Sequence, residues 1–93
     1  MKASTAKRLL RENISDMPLE KLQRHKICLL DAWRESTGEY YGMEQAVRDG
    51  FMVDTTTDAS IGYTPKDLWL THNLHAAYTQ ACERENILLS SGP

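Results

Sequence analysis

Two stretches of this 93-residue chain carry large apolar side chains at helical spacing, and together they limit what it can fold into. In a helix starting near Met17 or Pro18 and running to about Ser36, Leu19, Leu22, Leu29, Leu30 and Trp33 fall into one band when successive residues turn by about 100°. Pro18 suits only a first helical turn, and Gly38 is a natural stop. A second helix is expected from Thr64 to about Asn86. Its start combines a capping hydroxyl, Pro65 in the first turn, and Asp67 where a negative charge suits the amino end. Its face is Leu70, Leu74, Ala77, Tyr78, Ala81 and Leu88, with small alanines that admit a neighbouring helix closely. The two faces bury by meeting, Leu22, Leu29, Leu30 and Trp33 against Leu70, Leu74, Ala77 and Ala81.

The remaining segments are expected to pack around that pair. Ser4 or Thr5 can cap a short helix through about Asn13, whose Leu9 and Leu10 form too narrow a stripe to hold alone. Residues 41–49 read as a short helix with Met43, Ala46 and Val47, weakened at its start by Gly42. Phe51, Met52, Val53 and the threonines 55–57 favour extended backbone, yet Asp54, Asp58 and Gly62 interrupt the run. Residues 90–93 read as a loose tail. The fold class is therefore mainly α: a small single-domain helical bundle of three to four helices spanning residues 1–93, with an irregular or short extended segment near 51–62. Lys26 breaks the second helix's apolar band. It must reach out to water, pair with an acid, or face a partner.

Charge is segregated along the chain. Residues 1–34 hold eight basic and four acidic side chains, a balance of +4, and the remainder holds three and nine, a balance of −6, giving −2 in all. One surface should attract anions and another repel them. The longest apolar run, residues 27–30, falls far short of the ~18 residues needed to cross a bilayer, so no membrane partner is expected. Cys28 and Cys82 lie far apart, and the amino end does not resemble a secretory signal, which points to a reduced, cytoplasmic setting.

No motif names a reaction. His25 and Cys28, and His72 and His75, each stand three apart, but in projection both pairs turn away from the apolar faces, so no converging metal site is expected. His75 and Cys82 are two turns apart, about 10 Å, too far for a nucleophile and its base. Asp54, Thr56, Asp58 and Ser60 alternate as in a calcium loop, yet Ala59 stands where glycine is needed and Pro65 where the bidentate glutamate belongs. Neither a catalytic residue, a metal nor a cofactor is assigned.

A binding role is the expectation that remains: a small non-enzymatic regulatory or inhibitory protein acting on another protein. Lys7, Arg8, Arg11, Lys21, Arg24, Tyr40, Tyr41 and Trp69 are the candidate contact residues, being bases in the positive half and side chains that anchor interfaces. Trp69 projects off the main face of its helix, toward either a second core contact or an interface. Nucleic-acid binding through the basic half is one alternative. Self-association, with Glu39, Glu44 and Asp49 meeting Lys7, Arg8 and Arg11 of a neighbour in a homodimer or a fibre, is another. Size and style are shared with many phage and mobile-element accessory proteins, an association that no residue carries.

Overall fold

In the computed structural model, which describes residues 1–57, 59 and 62–90, four helices and a two-stranded antiparallel sheet follow in the order α1 (Ala3–Leu9), α2 (Leu19–Ser36), α3 (Met43–Arg48), β1 (Met52–Asp54), β2 (Tyr63–Pro65) and α4 (Leu68–Ser90). A single 3-10 turn, Ile14–Asp16, links α1 to α2. The calcium-like alternation falls partly on Asp58 and Ser60, and the tail on residues 91–93, all outside the described residues.

The expected principal pair forms. α2 and α4 run antiparallel, with Leu22 and Leu29 of α2 and Leu70, Leu74 and Ala81 of α4 sealed in the core. Lys26 resolves its awkward position by pairing: its Nζ lies 2.8 Å from Glu85 Oε1 across the helix interface. That hydrogen bond, ahead of the cost of burial, holds the Lys26 ammonium above its ordinary pKa. Trp33 is half-buried and lies against His75, ring centroids 5.1 Å apart, so it borders the core rather than filling it.

α1 is shorter than expected, ending at Leu9 instead of near Asn13, and neither Ser4 nor Thr5 caps it. It docks through Ala6, fully buried, with Ala3, Leu9 and Leu10 beside it. Its start is tied down where Ala3 N donates to the Asp49 carbonyl at 2.8 Å. The chain turns out of α2 at Gly38, where φ is +82° and an added Cβ would run into the Met43 side chain. Gly42, also at positive φ, opens α3 rather than merely weakening it.

The segment near 51–62 supplies one strand of a short extended pair, and the other lies just beyond it at Tyr63–Pro65, in the register Met52 with Pro65, Val53 with Thr64 and Asp54 with Tyr63. This overturns the expected start of the last helix. Thr64 and Pro65 belong to β2, because Lys66 N donates to the Phe51 carbonyl at 2.9 Å and keeps the chain extended. α4 begins two residues after that bond, at Leu68, with Asp67 behind its first turn, and it continues to Ser90, past the expected end at Asn86.

Burial sets the expected stability order. Leu29→Ala, at 0 % exposure, should cost about 3 to 5 kcal/mol, and the half-buried Trp33 should cost about half as much when cut to Ala. Urea unfolding of the two variants checks this, and equal losses would place Trp33 in the sealed interior.

Candidate partner-binding surfaces

Length and thickness decide which faces are open. The Cα trace measures 62 × 19 × 19 Å, wide enough across for little more than two helices packed at about 8 to 10 Å between axes. A helix in so thin a body covers one side and leaves the other bare. The outer side of α2 is the clearest case. Ile27 is 56 % exposed there, with Arg24 and Arg34 exposed on the same side.

Two of the candidate aromatic residues crown that side. Tyr40 and Tyr41 stack at 4.3 Å between ring centroids, 18° from parallel, and the Arg34 guanidinium lies 4.6 Å over the Tyr40 ring. The Tyr41 hydroxyl sits above its ordinary pKa, first through Tyr40 and then through slight burial, with Asp31 of α2 among the acids that add to it. The pair thus folds back over the end of α2 instead of entering the core. Arg24 lies further along the same helix and pairs with Glu20 at 2.7 Å. Ile27 and Arg34 escape the sequence reading, although both fall outside the Leu19 to Trp33 band.

The other candidates stand elsewhere. Lys7 lies 3.9 Å from Asp67, across a cleft of about 420 Å³ between α1 and the start of α4, and Lys2 at the same cleft lies 3.9 Å from Asp49. Arg8, Arg11 and Lys21 are exposed and make no ion pair among the described residues. Trp69, at the start of α4, is 59 % exposed.

Part of the charge segregation is neutralised by the fold. Asp49 is buried to 8 % exposure and takes the Met1 amino group at 3.5 Å, while Glu44 faces Arg48 at 3.7 Å. A neighbour's basic helix therefore finds a smaller acidic patch than Glu39, Glu44 and Asp49 suggest in sequence. Beside Asp49, Glu35 is almost wholly buried and accepts from the Met1 amino group at 3.0 Å through Oε2, while its Oε1 has no partner among the described residues. Burial first, and the neighbouring Asp49 second, hold its carboxyl above the ordinary range, and Glu35 beside it holds Asp49 below it.

His25 departs from the sequence reading. It is buried rather than turned outward, because it stands three residues after Leu22 and four before Leu29 on their sealed side of α2, and its Nδ1 lies 3.1 Å from Glu12 Oε2. His75 likewise meets Trp33. No group of three metal-ligating side chains occurs among the described residues, and no helix among them is long and apolar enough to cross a membrane. Cys28 and Cys82 are both free. Compared with family models, curated proteins and solved structures, the chain matches none.

Desolvation, partly opposed by Glu12 and helped by Lys21, lowers the pKa of His25 below 6.5. A lowered histidine pKa means the unfolded chain takes up the proton first, so stability present above pH 6.5 is lost as pH falls toward the folded value. Thermal melts between about pH 7.5 and 5 should show this as a falling Tm. His25→Gln should flatten that part of the profile whatever its effect at neutral pH; an unchanged slope would assign the loss to other groups.

Proposed function

We propose that this chain is a non-enzymatic regulatory protein that acts by binding another protein through the Tyr40, Tyr41 and Arg34 platform. The observation behind this reading is the stacked pair itself, 40 % and 57 % exposed, with the Arg34 guanidinium 4.6 Å over the Tyr40 ring. An exposed aromatic stack leaves apolar area in water in the free protein and regains it when a partner covers it. Tyrosine and arginine are also the residue types that carry most binding energy at protein interfaces. Because the rings are already stacked and braced, little rotamer freedom is left to lose on docking. Inhibition is the natural consequence where the covered surface of the partner is itself a working one.

Tyr40→Ser with Tyr41→Ser tests this. Both side chains lie outside the core, so the variant should melt within a few degrees of the parent, since a loss of 1 kcal/mol shifts Tm by only about 4 to 8 °C in a domain of this size. A protein captured by the parent from its native extract should be lost from the variant. Capture that survives the double change moves the contact to another face.

A second reading rests on a different observation. Arg8, Arg11 and Lys21 make no ion pair among the described residues, as phosphate-contacting side chains would in the free state. Fluorescence anisotropy with duplex DNA, single-stranded DNA and RNA across a salt series decides it. Micromolar binding that falls steeply with salt would favour nucleic acid, through counterion release. Flat traces at low salt remove that reading.

A further inference from the structure

We infer that the outer face of α2 is a self-complementary seam on which two copies of this chain pair antiparallel. Glu20, Arg24, Ile27, Asp31 and Arg34 are spaced by four, three, four and three residues, so they form one stripe along the helix. That alternation has the 3.5-residue period which keeps a stripe facing a second helix along its length. It spans about 21 Å at 1.5 Å per residue. Four of the five are exposed and Asp31 half-exposed, and the Tyr40 ring lies against the stripe at its Arg34 end.

The order of charges along the stripe selects the partner and its direction. From the amino end it reads acid, base, isoleucine, acid, base. Laid against a second copy in the opposite direction, with the two-fold axis at Ile27, Glu20 meets Arg34, Arg24 meets Asp31, and Ile27 meets Ile27. Every charge then faces its opposite, twice over by symmetry. Laid parallel, each charge faces its own kind, which is destabilising. A two-fold axis also closes the contact, so the assembly stops at two.

Arg34 serves both arrangements. Its guanidinium carbon lies 4.6 Å from the centre of the Tyr40 ring, and with five N–H donors the group can also serve Glu20 of the second copy. The Arg24 to Glu20 contact within one helix, with side chains 75 % and 81 % exposed, is a surface pair of small worth and can be exchanged for contacts across the seam. With one apolar residue at its centre and charges on either side, the seam makes a weak, salt-sensitive dimer. The dimer carries one Tyr40–Tyr41 platform at each end, a property the single-chain binding reading does not supply.

Sedimentation equilibrium of the full chain, up to about 1 mM at low salt, tests the inference. The parent should dimerise, and Arg24→Glu or Asp31→Arg alone should weaken it at least tenfold, since each puts like charges face to face. Mixing those two variants should restore association to within a few-fold, because the acid introduced on one copy then faces the base introduced on the other. The double change R24E/D31R should self-associate for the same reason, which guards against a variant that merely misfolds. A parent that stays monomeric, single variants that dimerise like the parent, or a mixture that fails to associate would overturn the proposal. Each of those results leaves the Tyr40–Tyr41 platform untouched, as loss of capture by the serine variant leaves the seam untouched.

Discussion

Burial of the inner face of α2 is the constraint on which everything else depends. Leu22 and Leu29 are fully enclosed there, and each neighbouring element owes its position to that face. α4 closes it along its length with Leu70, Leu74 and Ala81, and α1 closes it from the other side with Ala6. The Lys26–Glu85 bridge lies at the border of this contact. With side chains 23 % and 15 % exposed, its attraction is set partly against the cost of taking both charges out of water. α1 and α3 have too few residues to persist alone, and α1 is anchored partly by the Ala3 to Asp49 hydrogen bond at the far end of α3.

The long elements are legible in the sequence because their signal is repeated. Five apolar side chains in one band identify α2, and six identify α4. The start of α4 is not legible, since Thr64, Pro65 and Asp67 make a sound local signal for a helix. The competing hydrogen bond from Lys66 to Phe51 is made by a residue fifteen positions away. Local preference yields to a pairing that sequence spacing does not display. His25 is missed for a different reason: the band drawn through Leu19, Leu30 and Trp33 sits too far round the helix, whereas the side that is sealed runs through Leu22, His25, Leu29 and Ala32.

The candidate site is legible in kind more than in place. Tyr40 and Tyr41 stand out in sequence as anchoring residue types, and the geometry adds that they stack on each other and on Arg34. Lys7 and Arg24, candidate contact bases in the sequence, have acidic neighbours at 3.9 and 2.7 Å. Counting charges by halves of the chain overstates the asymmetry, because folding brings Asp49 of the acidic half under the amino end of the basic half. Only pairs close in sequence, such as Glu20 with Arg24, can be anticipated from spacing alone.

A body two helices thick divides the labour of its residues cleanly. Along α2, the positions that hold the fold and the positions that meet the outside alternate within each turn on opposite sides of the helix, where changes on one set tend to add to changes on the other. The outer stripe can therefore drift in sequence, acquire a new recognition pattern or lose one, while the core stays as it is. Such a chain evolves as a carrier of exchangeable surfaces on a fixed two-helix frame.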